Sequence, residues 1–182
     1  MERCPWCGTD ELYIKYHDDE WGIPVHDDIV HFEFLLLESA QAGLSWITIL
    51  RKRENYRTAY DNFDALKVSQ YDENKINELM NNPGIVRNRR KIDASINNAR
   101  LFLKIKEEFG SFDKYIWNFV DNKPVVNHWK DISEIPAVSS LSDEISRDLK
   151  KRGFRFLGST TIYSYLQAAG LINDHIETCF KK

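Results

Sequence analysis

The chain has 182 residues, a formal net charge of −3, and a composition that is 42% hydrophobic, 13% aromatic and 29% charged. That length suits one domain with a real core, and so many aromatic residues exclude a disordered chain. The charge excludes a body coated in basic residues, though not a local basic patch on an otherwise acidic surface.

The longest apolar run, Phe34 to Leu37, is cut by Glu38, well short of the roughly 18 residues a membrane span needs. The opening Met1-Glu2-Arg3-Cys4 has no apolar segment behind its charges, so no secretory signal is expected. These features suggest a cytoplasmic protein. An odd set of three cysteines, Cys4, Cys7 and Cys179, argues against a disulfide framework in a reducing compartment.

Helical periodicity dominates, and strand-like alternation is scarce. Ile29 to Ala42 is apolar on most faces and predicts a buried central helix. A second helix is predicted to end near Met80, with Pro83-Gly84 turning the chain and a third helix opening near Ile85. Ile92, Ile96, Ala99 and Leu103 repeat at helical spacing, with Gly110 as the stop. Leu141, Ile145 and Leu149 do the same, with Ser140 and Asp143 as a capping pair and Gly153 closing the helix. Thr160 to Ala169, ended by Gly170, predicts another buried helix. Short loops marked by Pro or Gly, with no repeat or linker, predict a single all-α domain over residues 1–182.

Three constellations carry chemistry. In the first, a helical His175-Ile176-Glu177-Thr178-Cys179 would set His175 and Cys179 one turn apart, and Cys4 with His17 offers a complementary pair. Two thiolates and two imidazoles form a common tetrahedral zinc set, closed to water and therefore structural. Such a site would tie the two chain ends together. Cys4-Pro5-Trp6-Cys7 is also a C-x-x-C that could supply two ligands by itself. His26, His31 and His128 have no partner at ligand spacing.

The second constellation is the Asn82-Pro83-Gly84 turn followed by Arg87, Arg89, Arg90 and Lys91. Gly84 tolerates backbone shapes and close approaches that other residues resist. A helix opening just after it offers free N–H groups and a positive dipole end to an anion. The pattern is that of a helix-hairpin-helix gripping DNA phosphate without reading sequence. The plain alternative is a turn before a solvated basic face.

The third is Glu38, a carboxylate in a near-continuous apolar helix, which is costly unless it is paired. Trp6, Tyr13, Tyr16 and Trp21 crowd the N-terminal segment. Rings and one buried acid suit a flat ligand that is cationic or carries an amino group.

The chain resembles the type I 3-methyladenine DNA glycosylases of the helix-hairpin-helix superfamily. The resemblance runs over nearly the whole length, through Glu2-Arg3-Cys4, Tyr13 with Tyr16-His17-Asp18, and Glu20-Trp21-Gly22. It continues in Gln41 to Thr48, Lys52 to Arg57, Lys150 to Phe154, Gly170-Leu171 and Asn173-Asp174-His175. It implies an all-α, helix-hairpin-helix glycosylase-like domain whose termini are joined by structural zinc on Cys4, His17, His175 and Cys179, leaving Cys7 as an extra thiol. It implies a base pocket of Trp6, Tyr13, Tyr16, Trp21, Glu38 and Trp46, with Glu38 as the catalytic group. Gln41, Gly43 and Leu44 fall where a wedge would enter the duplex. Gly84, Ile85, Arg87, Arg90 and Lys91 fall on the phosphate-gripping hairpin.

The expected activity is hydrolytic excision of 3-methyladenine from alkylated double-stranded DNA, releasing the free base and leaving an abasic site, with no lyase step. No obligate protein partner is expected. Asp93 and Asp113 lie after the hairpin without a recognisable catalytic context. A zinc-stabilised DNA-binding module would share the first two constellations but has no use for a pocket. A zinc-dependent hydrolase would need an open coordination position.

Overall fold

The computed structural model describes residues 2–182. Nine α-helices make up most of it: α1 (Glu11–Asp19), α2 (Asp28–Gln41), α3 (Trp46–Ala59), α4 (Ala65–Ser69), α5 (Glu73–Asn81), α6 (Arg89–Phe109), α7 (Phe112–Trp117), α8 (Ser140–Arg152) and α9 (Ser159–Ala168). The expected all-α character holds. The one sheet among the described residues is a two-residue parallel pairing of Val125–Val126 with Ile172–Asn173.

Helix α2 is the axis of the molecule. Asp27 caps it, its side chain accepting from Ile29 N and Val30 N, and every residue from His31 to Ala40 is buried. It touches α3, α6, α7 and α9, so its apolar side chains are covered on all sides. Each such Leu or Phe contributes on the order of 2 kcal/mol of burial free energy. This packing sets Glu38 deep in the molecule and carries the end of α2, at Gln41, to the surface.

Helix α6 follows the apolar repeat Ile92, Ile96, Ala99, and Gly110 closes it in the left-handed conformation at φ 87°. Its start differs from expectation. It opens at Arg89, capped by Asn88, rather than near Ile85, so the hairpin loop is longer than the Pro-Gly turn. The loop residues are held by side chains instead of helical bonds. Gly84 N donates to Asn82 Oδ1 at 2.8 Å and Val86 N donates to the Tyr56 hydroxyl at 3.1 Å.

Gly84 is needed for a reason other than backbone freedom. A Cβ there would lie 2.9 Å from Asn55 Cβ, so the hairpin sits directly on α3. Helix α8 is capped by Ser139 and Ser142 in a reciprocal box, one residue earlier than the Ser140–Asp143 pair, because Ser139 is the last extended residue. Gly153 ends α8 and Gly170 follows α9, as expected.

The two chain ends meet. Phe180 N donates to Glu2 O at 3.0 Å, and the Thr178 hydroxyl to Glu2 Oε1 at 2.7 Å. The segment from His175 to Cys179 is a run of turns rather than a helix, with Cys179 N bonded to Ile176 O.

Candidate functional site

Between α1, α2, α9 and the start of α3 lies a cavity of about 300 Å³. All six residues expected around a base line it: Trp6, Tyr13, Tyr16, Trp21, Glu38 and Trp46. They arrive from several separate pieces of chain. Trp6 sits in a one-turn 3₁₀ helix, Tyr13 and Tyr16 share one face of α1, Glu38 belongs to α2, and Trp46 opens α3. The aromatic wall is continuous. Trp6 lies 4.9 Å from both Tyr13 and Trp21, and Tyr16 lies 5.4 Å from Trp46, all tilted or edge-on.

Glu38 is the one carboxylate lining this cavity. It is 4% exposed, and none of the described residues donates to it or pairs with it. Burial without compensation pushes its pKa up to about 8. Tyr13 and Tyr16, the titratable groups facing it, are themselves pushed upward first by burial, with Cys7 and then Glu38 adding to it at Tyr13 and Glu38 at Tyr16. The indole Nε1 groups of Trp6 and Trp46 are likewise buried without a partner. An aromatic cleft with three unspent polar groups is built to receive polar atoms of a flat ligand.

Sequence reasoning missed four lining residues: Ile132, Ile135, Ser164 and Gln167. The last two had a signal. Beyond the polar first turn Ser159-Thr160-Thr161, Ser164 and Gln167 continue from Thr160 at helical spacing and interrupt an apolar stretch of α9. The two isoleucines open and close a one-turn 3₁₀ helix, too short for any apolar period to mark it, and had none. The surrounding loop is tied down by the buried Asp174, which accepts from Asn127, Trp129, Tyr163 and Gln167.

The expected cysteines and histidines come together. The ligand atoms of Cys4, His17, His175 and Cys179 all lie within 4.8 Å of one another, and all four residues are buried. Cys4 Sγ is 3.5 Å from His175 Nδ1, and Cys179 Sγ is 3.4 Å from both His17 Nε2 and His175 Nδ1. A tetrahedral zinc with ordinary bond lengths sets sulfur and nitrogen ligands about 3.6 Å apart, so the cluster has the right size.

The outward ring nitrogens also fit metal binding. His17 Nδ1 lies 2.8 Å from Asp18 Oδ1, and His175 Nε2 lies 3.1 Å from Trp21 O. These acceptors hold a proton on the outer nitrogen and turn the inner lone pair toward the cluster. Arg3 clamps Asp18 through both Nε and a terminal nitrogen, holding its carboxyl down at about 2. Cys7 stands outside the cluster, its thiol directed at Cys4 O at 3.2 Å.

Beside the cavity, Gln41 ends α2 and lines the cleft, while Gly43 (φ 82°) turns the chain and leaves Leu44 42% exposed. On the hairpin, Arg87 and Arg90 are exposed and form no ion pair among the described residues. Arg89 is occupied by Glu73 and Asp93 at 2.6 Å and 2.9 Å. Ile85 is 3% exposed and its N–H donates to Asn82 O at 3.5 Å, so it supports the hairpin from within. Lys91 Nζ donates to Ala40 O and Ala42 O, both at 2.7 Å, rather than standing free. Asp93 pairs with Arg89, and Asp113 with His26 and His31; neither lines the cavity.

A family model described as methyladenine glycosylase matches residues 6–182, and the chain belongs to that family. The chain is 49% identical over 179 residues to the DNA-3-methyladenine glycosylase 1 of Escherichia coli (strain K12), covering 98% of this chain and 96% of that protein. The solved Staphylococcus aureus 3-methyladenine DNA glycosylase I is 41% identical with a TM-score of 0.96, over 100% of this chain and 97% of that one. A Tyr→Phe variant of such an enzyme, solved in complex with 3-methyladenine, is also 41% identical with a TM-score of 0.96, over 100% of this chain and 98% of that one.

Proposed function

We propose that this protein excises 3-methyladenine from alkylated duplex DNA by hydrolysing the N-glycosyl bond, releasing the free base and leaving an abasic site. The observation that carries the reading is Glu38, buried and unpaired among aromatic rings. Methylation at N3 makes adenine a cationic leaving group, so little acid catalysis is needed. The protein must extrude the nucleotide and hold the base in a dry pocket. Tyr16 and Trp46 attract the charged ring through their π faces. The Glu38 carboxylate accepts from the exocyclic amine and stabilises the positive charge, which makes it the catalytic group of this reading. Water then takes the place of the base at the sugar. This reading is hydrolytic and includes no Schiff-base step.

Gln41, Gly43 and the exposed Leu44 enter the duplex beside the extruded nucleotide, as apolar wedges do. Arg87 and Arg90, exposed on the hairpin beside Gly84 and Ile85, grip phosphate. Cys4, His17, His175 and Cys179 hold one structural Zn²⁺, whose chemistry is to cross-link the chain ends. Residues 1–182 act as one helical domain, in the cytoplasm, where thiolate ligands stay reduced. Among the described residues no helix is long and apolar enough to cross a membrane.

The test is chromatography of bases released from methylated duplex DNA. Release of 3-methyladenine with 7-methylguanine left in place supports the reading. No release by folded, zinc-loaded protein defeats it and leaves a DNA-binding module.

A further inference from the structure

We propose that Lys91 is a positioning residue for base excision: its ammonium joins the hairpin helix to the end of α2, so that phosphate gripping and wedge insertion act as one rigid unit. The inference rests on the glycosylase reading above and concerns how its two DNA-facing parts are coupled.

The end of a helix leaves its last carbonyls without intrahelical partners. Helix α2 meets this problem where function would be most sensitive, three residues after Glu38. Its closing residue Ala42 has φ −44° and ψ 114°, which is not the left-handed cap that usually returns an N–H to those carbonyls. The left-handed residue comes one position later, at Gly43, and Leu44 N reaches only Gln41 O, at 2.6 Å. The carbonyls on either side, Ala40 O and Ala42 O, each accept from Lys91 Nζ at 2.7 Å. A cation is also well placed at a helix C-terminus, where the dipole is negative.

Lys91 belongs to the first turn of α6, directly after the exposed Arg87 and Arg90. The same hairpin rests on α3 through Gly84 against Asn55 and through Val86 N to Tyr56. Lys91 adds the bond to α2, and with it to Gln41, Leu44 and Glu38. A phosphate held on the hairpin therefore fixes where Leu44 and the pocket mouth stand along the duplex. A side chain spent on two carbonyls is a strut, whereas a phosphate ligand would keep its donors for DNA.

The test compares Lys91→Met and Lys91→Arg with the wild-type protein. Three quantities are measured: the salt dependence of binding to undamaged duplex, single-turnover release of 3-methyladenine, and binding of the free base by tryptophan quenching. A strut predicts an unchanged salt slope and unchanged free-base affinity in K91M, with base release slowed about 10- to 100-fold, as misplacement of a reacting group does. K91R, which can still reach two carbonyls, recovers most of the rate. A salt slope smaller by about one in K91M would make Lys91 a phosphate ligand and overturn the proposal. Undiminished release by K91M would also overturn it. Should K91M fail to fold, Lys91→Gln keeps one donor: an intermediate rate supports the strut and a wild-type rate overturns it. Wild-type protein that releases no base overturns the glycosylase reading itself, whereas a deficit confined to the Lys91 variants concerns the strut alone.

Discussion

The outer ring nitrogen of His175 lies 3.1 Å from the carbonyl oxygen of Trp21, and the Trp21 ring forms one wall of the aromatic cavity. The cluster that joins the chain ends therefore supports the pocket as well. His17 reaches the same wall, with its ring 5.3 Å from Trp6.

Removing a ligand should act on both. Cys179→Ser is expected to bind less than one equivalent of zinc and to melt lower by ~10 °C, which is about 3 kcal/mol in a domain of this size. Free-base binding should weaken alongside, as Trp6 and Trp21 lose their backing. Metal content by elemental analysis and a thermal melt check the first two effects. Unchanged tryptophan quenching by 3-methyladenine in a metal-free variant would separate cluster from pocket.

Glu38→Gln should slow base release about 10²- to 10³-fold, the usual loss when a preorganised electrostatic group is removed. The same substitution should stabilise the protein without ligand. Glu38 has a folded pKa of about 8 against an ordinary value of 4.5, so the folded state binds more protons between those limits. The wild type accordingly loses stability as pH rises from 4.5 to about 8, by at most about 5 kcal/mol, and the Gln variant does not. Their melting temperatures should coincide near pH 4 and diverge toward pH 8. For activity the sign is opposite. Since the carboxylate form faces the cationic base, kcat/KM of the wild type should rise with pH through a midpoint near 8 and level off above it. A flat profile in the Gln variant completes the assignment.

Gly84→Ala should lift the hairpin off α3, because the added methyl falls 2.9 Å from Asn55 Cβ and Cγ. Overpacking of this kind costs about 1–3 kcal/mol. Duplex affinity should drop, while free-base binding in the distant cavity stays. Titration of each ligand measures the two effects separately.

Arg87→Ala and Arg90→Ala should each reduce the slope of log affinity against log salt by about one, the mark of a lost phosphate contact. Arg89→Ala, from the same run of residues, should leave the slope alone, because Glu73 and Asp93 already neutralise that guanidinium. Equal slopes in all three variants would remove the hairpin from the DNA face.

The helices were legible where apolar spacing was regular, as in Ile92, Ile96 and Ala99 on α6, or where every face was apolar, as on α2. Their ends were less so. Ser139 rather than Ser140 caps α8, and α6 opens at Arg89 rather than Ile85, because a cap depends on one residue's backbone angles and periodicity does not reach that far. Motif strings predicted which aromatics, cysteines and histidines matter. They were silent on Ile132 and Ile135, which reach the cavity from a one-turn 3₁₀ helix too short to show a period.

By itself the sequence determined what depends on residue type and local spacing: an all-helical chain, a Cys/His set divided between its ends, and an acid with no local partner in an apolar helix. Only the tertiary structure decided what depends on distance through space. It separated Cys4 from Cys7, neutralised Arg89 while leaving Arg87 and Arg90 exposed, and turned Lys91 onto Ala40 and Ala42. Charges adjacent in sequence take different roles because each meets a different neighbour in the fold. Asp93 stands four positions from Arg89 on the same helix, but Glu73 lies 16 positions from Arg89 and Ala40 lies 51 from Lys91, beyond what spacing along one helix can encode.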